Sequence, residues 1–356
     1  MPNKDRIRKI MYESSLVILT GVSIAVAITF LSNYLQRVTI DDFRRDYAAA
    51  LTRNQASVAE QYYDKFPLQD LLDAVDAEYA SIGCHIQGHG IGRIVYRKDQ
   101  NFSSSVQKCG GSCTYGCFHG VLMEMFQTES DTLGGVIEEE APDAYLEHMK
   151  AIAKDLCTKP EVESVVRVRQ CYHGLGHMFV YSMGGDLKRA TDSCDEIFSE
   201  DAARSCRTGA FMEYIFSDTS PTVEYAKSTK PCDAFPGDEY ICYRYKGYSW
   251  LYVYKTIEAA MKACDSLGVH ALDCISGTAS AAATPELLAT AEGIETICGF
   301  FEGEKRRKCL GGAFLSIINL NHGDDSEHQC DIIAPSFRDG CLGVREKYRQ
   351  QIFYDE

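Results

Sequence analysis

The sequence predicts an all-α protein in which an N-terminal transmembrane helix is followed by a disulfide-stapled array of helical hairpins, resembling an α-solenoid. Three observations predict this fold class. An uncharged, apolar segment lies near the N-terminus, all 16 cysteines follow it, and most of those cysteines recur in pairs at a regular period. Strand signals are sparse, because no sustained apolar–polar alternation bounded by Asn-Gly or Asp-Gly turns is present.

The segment 14–36 predicts a membrane anchor. No residue from Ser14 to Gln36 is charged, and about 20 apolar helical residues span the roughly 30 Å hydrocarbon core of a bilayer. A cleaved signal peptide has a shorter apolar core of about 7–15 residues, followed by small residues, so we expect a retained signal-anchor. Residues 1–13 would then be cytoplasmic, and the domain after the anchor would be periplasmic or extracellular.

The charges that flank the anchor favour this orientation only weakly, because basic residues lie on both sides of it. The cysteines favour it more strongly, since cysteine-dense domains belong to oxidising, extracytoplasmic compartments. The net charge of −15 argues against nucleic acid as a partner, because phosphates require a basic surface. The partners we expect are the membrane, through the N-terminal helix, and a protein on the surface of the repeats.

Residues 37–80 predict a helical stalk. Apolar residues such as Phe43, Tyr47 and Leu51 recur at intervals of four residues, which is a helical period. Pro67 divides the segment into two helical parts. We interpret the segment as a spacer that lifts the domain from the membrane.

Six pairs of cysteines follow from residue 157 onward. Within a pair the separation is 10–14 residues, and from one pair to the next it is 32–38 residues, a period typical of helical arrays. The residue signature of tetratricopeptide repeats is not present. The pairs are Cys157 with Cys171, Cys194 with Cys206, Cys232 with Cys242, Cys264 with Cys274, Cys298 with Cys309, and Cys330 with Cys341.

Each pair predicts two helices joined by a loop that a disulfide closes, although spacing alone does not determine connectivity. The second cysteine often begins a Cys-x-x-Gly motif, and a glycine there lets a neighbouring backbone approach closely. Cys109, Cys113 and Cys117 form a denser cluster. They could bind zinc together with His119, but the predicted compartment favours disulfides, with Cys84 as one partner.

Two copies of a His-x-x-Gly-His motif carry the candidate functional residues. The first contains His85 and His89, and the second contains His173 and His177. Residues four apart lie on one face of a helix, about 5–6 Å from each other. Two glycine-flanked copies are more than nine histidines would produce by chance.

The two motifs belong to a larger duplication, which we assign to residues 81–220. His85 and His173 are 88 residues apart, and Glu124 and Glu213 are 89 residues apart. His119 is a further candidate ligand in the first copy only. The hairpin repeats predicted over 221–356 keep the cysteines and glycines but lack these histidines and glutamates. The hairpin therefore does not need them in order to form.

Histidines with a carboxylate from a neighbouring helix form a ligand set for a transition metal such as zinc, copper or iron. The predicted metal ligands are His85, His89, His119, Glu124, His173, His177 and Glu213. A three-ligand site would leave a position open for water or substrate. Non-covalent haem, with the glycines against a flat macrocycle, is a less favoured cofactor. Covalent c-type haem is excluded by the absence of Cys-x-x-Cys-His.

The leading hypothesis is therefore a membrane-anchored, extracytoplasmic helical repeat protein that binds a transition metal or cofactor through the two motifs. Metal-dependent catalysis is left open, since the motifs His-Glu-x-x-His, Gly-x-x-x-x-Gly-Lys and Gly-x-Ser-x-Gly are absent. The alternative is a non-catalytic protein–protein interaction scaffold, in which the histidines only bond backbone carbonyls at tight helix crossings.

Overall fold

The structure is a computed structural model of the chain. It describes residues 38–50, 52–79, 84–137, 142–159, 162, 164–216, 227–320 and 328–350. Within these ranges every regular element is a helix, so the all-α prediction is confirmed. The chain divides into residues 1–42 and a compact unit of residues 43–356.

The described α-helices number seventeen. In chain order they are α1 Ile40–Ala49, α2 Thr52–Tyr63, α3 Leu68–Tyr79, α4 His85–Asp99, α5 Phe102–Cys109, α6 Gly116–Ile137, α7 Pro142–Lys154, α8 Val165–Ser182, α9 Leu187–Ile197, α10 Glu200–Phe216, α11 Glu239–Tyr254, α12 Ile257–Asp265, α13 Ala271–Ala282, α14 Pro285–Leu288, α15 Ala291–Cys298, α16 Gly303–Leu320 and α17 Arg338–Gln350.

The longer helices of the compact unit form a consecutive array. Helices α4, α6, α8, α10, α11, α13 and α16 each contact the next in that order, and the shorter helices lie beside them. The C-terminal helix α17 contacts α16 and also α8. There the Arg169 side chain donates a 2.8 Å hydrogen bond to the backbone carbonyl of Tyr348 and stacks on the Tyr348 ring. The end of the array thus returns to a helix that carries histidines.

The cysteines pair as the hairpin interpretation predicts. All six later pairs are disulfides between sequential cysteines. In the hairpin of α9 and α10, for example, Cys194 and Cys206 close the short connection between the two helices. The cluster near residue 110 also forms disulfides, which join Cys84 to Cys113 and Cys109 to Cys117. Each of the six later staples therefore fixes a short helix or turn against the helix that follows it.

Glycines set the distance between the long helices. A Cβ atom at Gly176 of α8 would overlap the carbonyl oxygen of Cys206, and one at Gly209 of α10 would overlap that of His173. Gly247 and Gly277 make the same reciprocal contact between α11 and α13. The predicted close approach of backbones at these glycines is confirmed. Helices held this close bring their facing side chains within direct contact, which is what the candidate site requires.

The segment predicted to be a stalk is helical, but its residues pack on the compact unit. Helices α2 and α3 contact α4, and Phe43, Tyr47 and Leu71 are almost completely buried. Residues 43–79 therefore belong to the compact unit rather than forming a spacer, because their apolar face covers one side of α4. The anchor predicted at 14–36 lies outside the described residues, within which no helix is long and apolar enough to cross a membrane.

Candidate metal centre

Histidines from three consecutive long helices meet at one point. His85 lies at the start of α4, His119 in the first turn of α6, and His173 and His177 in the middle of α8. One ring nitrogen from each of the four lies within 4.8 Å of the corresponding nitrogen of every other, a group that could hold a metal ion. The two His-x-x-Gly-His motifs thus form one site and not two.

In each of the four rings, the nitrogen that points away from the centre donates a hydrogen bond to a neighbouring residue. His85 Nδ1 lies 2.9 Å from the carbonyl oxygen of Thr114, and His119 Nε2 lies 2.9 Å from that of Gln170. A carbonyl oxygen can only accept, so these two nitrogens carry the ring proton. The inner nitrogens, His85 Nε2 and His119 Nδ1, therefore present lone pairs to the centre.

The same holds for the two histidines of α8. His177 Nδ1 donates to the Glu213 carboxylate at 2.8 Å. His173 Nδ1 lies 2.7 Å from Thr208 Oγ1, whose own hydroxyl donates to the carbonyl oxygen of Ser205. The Thr208 hydroxyl oxygen consequently accepts a hydrogen bond from His173 Nδ1. Both rings turn an unprotonated Nε2 inward.

Three of the six distances between inner nitrogens are close to those expected of ligands on one metal, and all six are within 4.8 Å. His177 Nε2 lies 3.0 Å from His173 Nε2 and 3.5 Å from His85 Nε2, and His85 Nε2 lies 3.2 Å from His119 Nδ1. Ligands on tetrahedral zinc at about 2.0–2.1 Å are about 3.3 Å from one another. With every ring proton on the outside, these contacts contain no hydrogen. The inner lone pairs repel one another, and a cation between them would be attracted to all of them as ligands.

Burial disfavours the charged form of His85, His89, His119 and His173. It lowers the pKa of His85 from 6.5 to about 3, and it lowers the pKa of His89, His119 and His173 well below the ordinary value. The neighbouring imidazoles act in the same direction, since a second positive charge in the cluster would be repelled. Neutral imidazole is the form that binds a metal.

The two predicted glutamates lie outside the ring of inner nitrogens. Glu213 orients His177, as carboxylates commonly orient metal-binding histidines. The buried Glu124 carboxylate instead accepts hydrogen bonds from Arg93 at 2.8 Å and from Arg97. Neither glutamate offers an oxygen to the group of four nitrogens.

His89 lies beside this group without being part of it. Its ring centroid is 5.1 Å from that of His85 and 5.0 Å from that of His177. The side chain is buried, and its Nε2 atom has no hydrogen-bond partner among the described residues. An unsatisfied buried polar atom costs about 1–3 kcal/mol, so this nitrogen requires an explanation.

The residues that orient the histidines were not predicted from the sequence. At the 89-residue offset, His119 corresponds to Thr208, so one copy contributes a fourth imidazole and the other a hydroxyl that orients His173. Thr114 and Gln170 act through backbone carbonyls, which carry no sequence signal. Arg93 and Arg97, four residues apart on α4, could have been recognised as a pair that would attract Glu124.

The packing removes the argument that favoured haem. The glycines of the two motifs, among them Gly88 and Gly176, were expected to let a flat macrocycle lie against the helix, but a Cβ atom on either of these two would meet the backbone of a neighbouring helix. The glycines thus serve the helix crossings. The inner nitrogens form a group that could hold a metal ion.

The chain was compared with protein family models, curated proteins and solved structures. No match was found in any of the three comparisons. The geometry of the histidine site is therefore the main observation that bears on function.

Proposed function

We propose that this protein binds one first-row transition metal ion through His85, His119, His173 and His177. The observation that carries the proposal is the arrangement of protons. Four outer partners hold the ring protons away from the centre, and four lone pairs converge where no hydrogen is available to join them. A purely structural cluster of histidines would instead be expected to donate to one another.

Zinc is the metal that we expect first. A group of four histidine nitrogens suits zinc, whose structural sites almost always have four nitrogen or sulfur ligands. Copper and iron also bind imidazole, and the choice among these metals is left to measurement. Four protein ligands are one more than the three that catalytic zinc sites usually have, so we expect the site to hold its metal firmly.

We also propose that the domain functions on the extracytoplasmic side of a membrane, anchored by residues 14–36. Eight disulfides within the described residues support an oxidising compartment. The uncharged N-terminal segment supports the anchor. A protein partner on the outer surface of the repeats is compatible with this placement.

The test is the metal content of the full-length chain, purified without added metal and measured by inductively coupled plasma mass spectrometry. We expect about one equivalent of a transition metal. His173→Ala and His119→Ala should reduce it severalfold, because each removes one of the four ligands. His328→Ala is the matched control, since His328 is exposed and lies outside the group.

Two results would refute the proposal. One is a parent protein that remains metal-free after incubation with zinc, copper(I), copper(II) and iron(II). The other is unchanged metal content in correctly folded His173→Ala and His119→Ala variants. Either result would indicate that the histidines only pack the helices, and it would favour the protein–protein interaction scaffold.

A further inference from the structure

The two copies of the duplicated unit treat their second histidine differently. His89 and His177 are equivalent at the 88-residue offset, and Glu124 and Glu213 are equivalent at 89 residues. In the second copy, Glu213 accepts a hydrogen bond from His177 Nδ1. In the first copy, Glu124 bonds to arginines of α4. The glutamate that would have oriented His89 is therefore engaged elsewhere.

The arginines account for this difference. The position equivalent to Arg93 in the second copy is Tyr181, which leaves Glu213 available to His177. Arg93 lies one turn after His89 on α4 and donates to Glu124 Oε2 at 2.8 Å. Because the arginine holds the carboxylate, the His89 ring contacts the metal-binding cluster without a fixed outer partner of the kind that orients the other four rings.

The charge of the loaded centre favours an anion beside it. Histidine binds a metal as neutral imidazole, so a divalent ion held by the four proposed ligands would keep both positive charges. Glu213 compensates one of them through His177. Glu124 is shared by Arg93 and Arg97 and cannot compensate the other. A buried charge without a counter-charge is costly, and one small monoanion would balance it.

Resting on the proposed metal site, we propose that His89 binds a small monoanion that occupies a fifth position on the metal. Its unpartnered Nε2 would carry the ring proton and donate a hydrogen bond to the anion next to the metal. The position of His89 fits this role, since its ring is 5.0–5.1 Å from those of His85 and His177. It lies outside the four whose nitrogens converge.

The test uses the full-length chain loaded with Co²⁺, whose visible absorption reports coordination number, and azide as the probe anion. We expect azide to convert a four-coordinate spectrum into a five-coordinate one. His89→Leu should keep its cobalt and its azide-free spectrum but bind azide about 10- to 100-fold more weakly, the effect of a hydrogen bond to a charged group. His89→Gln restores a side-chain N–H donor and should recover most of the affinity.

The outcomes separate this proposal from the one on which it rests. Failure of the parent chain to bind cobalt would refute the metal site itself. Bound cobalt with no azide response, or equal azide affinity in the parent and His89→Leu, would refute only the role of His89. A changed azide-free spectrum or lost cobalt in His89→Leu, with His89→Gln correctly folded, would identify His89 as a direct metal ligand and also overturn the proposal. His328→Leu should match the parent throughout.

Discussion

The Nε2 atoms of His173 and His177 lie 3.0 Å apart, and in the neutral form of each ring the proton is on Nδ1. Both protons are held on the opposite side, by Thr208 and by Glu213. Two lone pairs at this distance repel each other unless a cation lies between them. The outer residues that fix the protons are therefore as informative about the site as the histidines themselves.

Glu213 should tune the affinity of the centre without being a ligand. Glu213→Gln keeps an acceptor for His177 Nδ1 but removes the negative charge. We expect a loss of about 10- to 100-fold in metal affinity, the usual effect of replacing an outer partner of a metal-binding histidine. Competition with a chromophoric chelator measures it. Glu200→Gln, on the same helix but exposed and paired with Arg204, should leave the affinity unchanged, and equal effects of the two substitutions would argue against this role.

The Cys84–Cys113 disulfide should matter for metal binding as well as for stability. Cys113 precedes Thr114, whose carbonyl orients His85. Replacing Cys84 and Cys113 by serine should lower the free energy of unfolding by about 2–4 kcal/mol and weaken metal binding at least tenfold. The same replacement at Cys330 and Cys341 should cost similar stability and leave metal affinity intact. Urea unfolding and chelator competition on both variants decide the matter, and similar affinities would contradict the prediction.

The glycine crossing of α8 and α10 should be essential. A Cβ at Gly209 would overlap the carbonyl oxygen of His173, so Gly209→Ala must separate the two helices and displace Thr208 from His173. We expect a loss of more than about 3 kcal/mol in the free energy of unfolding, above the usual cost of overpacking. At Gly343 of α17 a Cβ would meet nothing within 4 Å. Gly343→Ala should stabilise by roughly 0.5–1 kcal/mol, and a tolerated Gly209→Ala would refute the crossing.

The metal-free protein should lose stability as the pH falls below 6.5. In the folded chain the pKa values of His85, His89, His119 and His173 are lowered, whereas unfolded histidine titrates near 6.5. Between pH 6.5 and the lowered folded-state pKa values, of which that of His85 is about 3, the unfolded state binds more protons. Each buried histidine then lowers the free energy of unfolding by up to about 1.4 kcal/mol per pH unit.

Urea unfolding at pH 7.5 and pH 5.0 measures this dependence in the metal-free chain. His119→Gln should show a smaller difference between the two pH values than the parent, because one buried titrating ring is gone. His328→Gln changes an exposed histidine and should behave as the parent does. A parent and His119→Gln with the same difference would show that burial of this ring does not control the pH dependence.

Much of the site could be predicted from local features of the sequence. The helical period places His85 with His89 and His173 with His177 on shared faces, and their ring centroids are 5.1 Å and 4.8 Å apart. The later cysteine pairs are also close in the sequence, and a separation of 10–14 residues favours their sequential pairing. The sequence by itself thus determined the helices, the positions of the later cysteine pairs and the residues that each helix presents.

Only the tertiary structure decided that both motifs meet in one centre. His85 and His177 are 92 residues apart, and their contact depends on how closely α4, α6 and α8 cross, which chain spacing does not encode. The tertiary structure also bonds Glu213 to His177 and Glu124 to two arginines, although the two glutamates occupy equivalent positions in the duplicated sequence. The physical reason is that the partner of a charged side chain is set by whichever opposite charge or donor the packing brings nearest. Where each proton resides follows from those partners.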